Sequence, residues 1–179
     1  MNGSGLHSDI NFNAVLRGLI MKSAKFYECK GILLAGCLVR NEGGNIWAKW
    51  ESMDTKHEIH HLVNREQAYE VWFYTSDGDF VFTGVEVKKQ KPNTVWEYID
   101  IPAVMYAIFE VDYNNNPEPQ IASIDKWLDE NKSRYERFLF NANSRMNTSN
   151  FDVCYFDHGG KFGKEKIMEI RVPLMKIDD

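Results

Sequence analysis

Apolar and polar positions alternate most clearly in two stretches, YEVWFYTSDGDFVFTGVEV (residues 69–87) and FDVCYFDHGGKFGKEKIMEIRV (151–172). Each opens on an aromatic residue, a carboxylate and a valine. Each then runs through apolar and aromatic residues to a glycine-containing turn and resumes as an alternating strand. Short β-rich runs joined by SDGD or HGGK predict hairpins, because glycine supplies the positive φ of a tight turn. Upstream of each hairpin lies a longer β-rich run, KFYECKGILLAGCLVR (25–40) and VWEYIDIPAVMYAIFEVD (95–112). Gly31 and Pro102 interrupt these runs and predict a bulge or an edge position.

Between long run and hairpin the period becomes helical. Ile46, Trp47 and Trp50 fall at i, i+1 and i+4, and Ile59, Leu62 and Val63 follow after a break at MDT. Ile121, Ile124, Trp127 and Leu128 form the stripe of an amphipathic helix. NNNPEP before that stripe and NANSRMNTSN after it read as loops. The plan is an α+β fold, β-α-β-β in tandem, with repeat one over 25–90 and repeat two over 94–176. Pseudo-twofold symmetry would relate the copies, with antiparallel sheets forming a ligand cleft between the halves. One copy alone buries too little surface, so both pack into one domain over 25–176. Residues 1–24 are an N-terminal extension, partly helical or disordered: NFNAVLRGLIMKSA has the pattern of a short amphipathic helix, and the expectation is a docking or dimer-contact helix or simple disorder of the first eight residues.

Alternation also sorts side chains by face. Glu70, Trp72 and Tyr74 share one side of their strand, opposite Tyr69, Val71 and Phe73. In the second hairpin Asp152, Cys154 and Phe156 oppose Phe151, Val153 and Tyr155. Under a pseudo-twofold, Glu70 and Asp152 are mates. Two readings stand: the acids meet across a groove, where acid and aromatic faces attract a lipophilic cation, or each merely faces solvent on an open sheet or pairs with a neighbouring Lys.

Composition narrows the options. The 179 residues are 44% hydrophobic and 13% aromatic, enough for a core and a pocket lining. A net charge of −5 offers no basic field for a nucleic-acid backbone, and VKKQK (87–91) reads as a solvated turn. Three cysteines without Cys-x-x-Cys spacing fit a reducing cytoplasm. No apolar run approaches the roughly 18 residues of a membrane span, and no signal peptide is read. A cytoplasmic protein with no membrane or nucleic-acid partner is expected.

One string invites a different chemistry. His57, Glu58 and His61 spell His-Glu-x-x-His, which on a helix can hold zinc. Thr55, however, makes Thr-x-x-Glu with Glu58, a capping box that predicts the first turn of a short helix. The extended zinc motif needs Gly at 64 and His at 67, where this chain has Asn64 and Gln67. No metal or cofactor is expected, and EGGN (42–45) and HGGK (158–161) read as turns.

In order along the chain, GCLVRNEGGNIWAKW, AYEVWFYTSDGDFVFTGVEV, YIDIPAVMYAIFEV, SIDKWL, FDVCYF and MEIRVPL form a set. Through it, residues 25–176 resemble the DNA-gyrase-inhibitor-like effector-binding domains. Those domains occur alone in bacteria and as ligand-sensing halves of AraC-type and MerR-type transcription regulators. The resemblance implies a cleft between two β-α-β-β halves and a buried late-hairpin acid, within a Phe-Glu-x-Tyr-like pattern, that contacts cationic hydrophobic ligands. Here Asp152 takes the acid's place, one methylene shorter, and Cys154 takes the tyrosine's. The implied aromatic lining includes Trp72 and Tyr106, with Trp50 reaching in from the first helix, while Trp127 joins the helix–sheet core. An Arg or Lys side chain is available to mask Asp152 in the empty pocket. The functional expectation is a small-molecule binding or sensor domain with Asp152, Glu70, Trp72, Tyr106 and Trp50 at the ligand. The alternatives are a small hydrolase using Glu70 or Asp152, or a protein that binds a regulator or a topoisomerase.

Overall fold

The computed structural model describes residues 24–41, 46–54, 56–64, 67–112, 114–140, 150–157 and 167–177. The clearest alternation folds as read, into β3 (Gln67–Thr75) and β4 (Gly78–Glu86), an antiparallel hairpin in register from Tyr69↔Gly84 to Thr75↔Gly78. Ser76 and Asp77 form its turn, and Gly78 carries the positive φ, 110°, that the turn demands. The Thr75 hydroxyl donates to the Gly78 carbonyl at 2.6 Å and accepts the Asp77 N–H at 3.2 Å. Arg40 clamps the same turn by donating to the Asp77 carbonyl.

Both interruptions act as strand breaks at which the chain changes partner. β1 (Lys25–Glu28) ends before Gly31, whose φ of 77° suits only glycine, and β2 (Ile32–Arg40) begins after it. β5 (Glu97–Ile101) ends at Pro102, and β6 (Met105–Asp112) follows. β1 then pairs with β6, and β5 pairs with β2. The remaining strands are β7 (Tyr135–Arg137), β8 (Asn150–Asp157) and β9 (Ile167–Lys176).

Among the described residues these strands make one nine-stranded antiparallel sheet, ordered β1-β6-β9-β8-β3-β4-β2-β5, with β7 also paired to β9. The described residues are therefore mostly β rather than α+β, and the antiparallel sheets expected of the two halves are one curled sheet, a shape consistent with a ligand cleft. The physical cause is β3 pairing with β8 along Gln67↔Asp157 to Tyr74↔Asn150, which stitches the two hairpins into one surface.

One face of this sheet closes on itself. Leu34, Val71, Phe73, Phe82, Ile99, Phe151 and Val153 are buried there with Tyr106. Leu34 and Tyr106 lie on β2 and β6, well separated in strand order, so only curling brings them into one cluster. Phe73 and Phe151 stack with centroids 6.0 Å apart across the β3–β8 seam. Burial of each such side chain contributes about 2–3 kcal/mol.

The other face carries the helices. α1 (Ile46–Asp54) packs on β2 and β4, and α2 (Pro117–Glu130) packs on β6. Ile124 of α2 joins Phe109, Val111, Met168 and Ile170 in a second cluster, with Trp127 set edge-on to Phe109 at 5.4 Å. Trp127 is thus a helix–sheet core residue, as expected. Trp50 of α1 packs against Trp96, centroids 5.3 Å apart, in a third cluster with Ile59 and Val85.

Two local expectations are corrected. α2 starts at Pro117, inside the NNNPEP segment read as loop, because proline's missing N–H costs nothing in a first helical turn. Residues 56–64 hold no helix, although Ile59, Leu62 and Val63 had predicted one. There Ile59 is buried, Leu62 bridges to Val87, and His61 has φ 62°. Burial against Trp50 and Trp96 and pairing with the end of β4 outweigh a short helix of ordinary propensity. The expected N-terminal helix, the Thr55 cap and the EGGN and HGGK turns lie outside the described residues.

Candidate functional site

Placing α1 over β2 and β4, and α2 over β6, leaves the strands between them uncovered. Strands stand roughly 4.8 Å apart and a helix is roughly 10 Å wide, so the helices flank a gap of about 10 Å. Its floor is β3, β8 and β9. A cavity of about 530 Å³ lies there, within the usual range for small-molecule sites. Glu70, Trp72 and Tyr74 rise into it from β3, Asp152 from β8, and Met168 and Ile170 from β9. Ile121, Ile124 and Asp125 of α2 and Arg137 of β7 form the wall.

Register explains why both acids appear in one cavity. Trp72 is directly opposite Asp152, and Glu70 is opposite Cys154. Strand alternation then sends Glu70, Trp72, Tyr74 and Asp152 to the same side. Of the two readings left open by the sequence, the acids share a groove. Each is only 8% exposed.

The two carboxylates are held differently. Arg137 Nη1 donates to Asp152 Oδ1 at 2.6 Å, and the Tyr74 hydroxyl donates to Oδ2 at 3.3 Å. The same guanidinium lies 3.6 Å from Asp125, at the exposed rim. Burial pushes the Asp152 carboxyl up, and Arg137 and Tyr74 pull it only partly back. Glu70 accepts the Trp72 indole N–H at 2.5 Å and a second from Trp47 of α1. Burial raises its pKa too, against those two donors.

No family model matches the chain, and no curated protein does. Solved structures do. SAV2435 bound to tetraphenylphosphonium superposes with a TM-score of 0.56 at 10% identity, over 86% of this chain and 94% of that one. A Staphylococcus aureus MU50 protein assigned by inference to bacterial transcription regulation gives 0.56 at 12%, over 86% and 98%. The EcmrR C-terminal domain gives 0.56 at 13%, over 88% and 99%. The chain shares the fold of these three structures.

Within this fold, three of the five residues singled out from sequence, Glu70, Trp72 and Asp152, meet in the cavity. Tyr106 does not line it. Its ring is in the opposite-face core and its hydroxyl donates to the Pro102 carbonyl at 3.1 Å, because even-numbered β6 positions turn away from α2. Trp50 packs under α1 with Trp96, and its neighbour Trp47 is the indole that reaches Glu70. Arg137 and Tyr74 complete the polar set. Tyr74 was legible from its face-sharing with Glu70. Arg137 was visible only as an unspecified basic mask, since three-residue β7 is too short to announce itself. The side chain of Cys154 lies outside those described.

The His-Glu-x-x-His string is not helical, so His57 and His61 do not share a helix face. Among the described residues, no group of His, Cys, Asp and Glu is arranged to hold a metal ion, and no helix is long and apolar enough to cross a membrane.

Proposed function

We propose that the chain is an effector-binding domain that takes up a small aromatic, lipophilic compound of cationic character in the cavity between its helices, as a sensor does. One observation carries the reading: two buried carboxylates share a wall with Trp72 and Tyr74 in a chamber otherwise lined by Ile121, Ile124, Met168 and Ile170. Apolar walls desolvate a ligand's rings, and buried acids favour a positive charge among them. The likeness to SAV2435 with its bound tetraphenylphosphonium supports the same class of ligand. Glu70, Asp152 and Trp72 would contact it, while Tyr106 and Trp50 support the strands and helix behind them.

The element order supports a duplication underlying this cleft. A break-interrupted strand pair, a helix and a hairpin occur twice, and β6-β9-β8 mirrors β2-β4-β3 in the sheet. A pseudo-twofold would pass between β3 and β8.

Thermal-shift measurements with lipophilic cations test the function. A ligand present at about a hundred times its Kd stabilises by about 2.7 kcal/mol, which raises Tm by several degrees in a chain of this size. If no such compound raises the Tm, the reading is wrong.

A further inference from the structure

The two acids of the cavity differ in what neutralises them. Asp152 is ion-paired with Arg137 at 2.6 Å and also receives the Tyr74 hydroxyl. The Arg137 guanidinium is directed to the acids around it, Asp152 and the rim residue Asp125, whose side chain is 78% exposed. Among the described residues, Glu70's partners are the indole N–H groups of Trp72 and Trp47. Indoles orient a carboxylate and stabilise its charge without cancelling it. Two charges of opposite sign at Asp152 and Arg137 offset each other, and among the described residues Glu70 remains as the buried charge with no cation beside it. A charge in that state attracts a counter-ion more strongly than one already paired, because the paired site must first lose its partner.

We propose that Glu70, in the first hairpin, is the anchor for a ligand's positive charge, and that Asp152 is committed to the Arg137 pair. The ligand class follows from the charge and the walls. One free carboxylate matches one positive charge, and the apolar walls of Ile121, Ile124, Met168 and Ile170 favour a monocation whose charge is enclosed in apolar bulk. A compact ammonium would surrender its hydration here and gain little. A dication would have to open the Arg137–Asp152 pair. This inference rests on the cavity being a site for lipophilic cations.

Calorimetric titration of the full chain with tetraphenylphosphonium, and with uncharged triphenylphosphine oxide for comparison, tests it. The wild type is expected to prefer the cation. Glu70→Gln should weaken the cation by about tenfold or more beyond the loss in Asp152→Asn, the scale of one charge-assisted contact. The variants are compared only as folded proteins, verified by circular dichroism and melting. A second readout separates a charge role from a packing role. Wild-type affinity should fall as pH is lowered toward the ordinary glutamate value of 4.5, and Glu70→Gln should flatten that fall while Asp152→Asn keeps it. Equal losses in both variants, or a larger loss in Asp152→Asn, overturn the Glu70 assignment but leave the cavity a cation site. Failure of the wild type to bind the cation at all overturns the underlying reading, and the anchor with it.

Discussion

Arg137 Nη1 lies 2.6 Å from Asp152 Oδ1, so the short strand β7 is tied to β8 through the wall of the cavity. Neither side chain is open to water, at 22% and 12% exposed. Removing the cation alone therefore strands a buried carboxylate. A fully buried pair costs roughly 3–5 kcal/mol when one partner is lost, and the residual exposure lowers this to about 2 kcal/mol for Arg137→Met at pH 7. The cost should shrink as pH falls through the raised Asp152 pKa, because protonation removes the stranded charge. Urea denaturation at several pH values measures both. A loss that stays constant with pH would show that packing, not charge, is responsible.

Glu70 should behave in the opposite sense. Its folded-state pKa is raised by burial, so the folded chain binds a proton more tightly than the unfolded one. The ionised group thus opposes folding above its folded-state pKa, and the penalty is relieved as pH drops through that pKa toward 4.5. Glu70→Gln, which keeps an acceptor for the indole donors, is expected to raise the Tm modestly at pH 7. The gain should vanish at acid pH. Equal melting temperatures of the two proteins at pH 7 would contradict this account.

Trp72 lines the cavity, whereas Trp50 and Trp96 pack at a tilt in a separate cluster beneath α1. A ligand entering between the helices should therefore quench Trp72 directly. Trp72→Phe is expected to remove most of the ligand-induced fluorescence change, and Trp96→Phe to keep it. Retention of the full change in Trp72→Phe would place the ligand elsewhere.

Gly84 faces Gly36 where β4 meets β2. A methyl group at 84 would come 2.5 Å from the Ala35 carbonyl oxygen and 2.7 Å from the Phe82 ring. Gly→Ala ordinarily stabilises by about 0.4–1 kcal/mol through the unfolded chain. Here overpacking against backbone prevails, and Gly84→Ala should cost about 2 kcal/mol net. A denaturation midpoint equal to or above that of the wild type would rule out the close approach.

Alternation, turn residues and helical spacing were enough to locate the first hairpin, the paired strands β8 and β9, α1, most of α2 and the side-chain set Glu70, Trp72 and Tyr74. These are local properties: strand alternation has period two and a turn needs its glycine wherever the strand ends up. Gly31 and Pro102 were likewise legible as interruptions, because their backbone restrictions are intrinsic.

The sequence left open whether Glu70 and Asp152 share a wall, and that depended on β3 pairing with β8 in one register, across more than seventy residues of chain. A shift of one residue would have turned one acid to the other face. Arg137 at Asp152, Trp47 rather than Trp50 at Glu70, and the withdrawal of Tyr106 into the opposite core were settled the same way. Each depends on which strands become neighbours and how the sheet curls. Local pattern specifies the faces of a strand; only packing of distant segments decides what those faces meet.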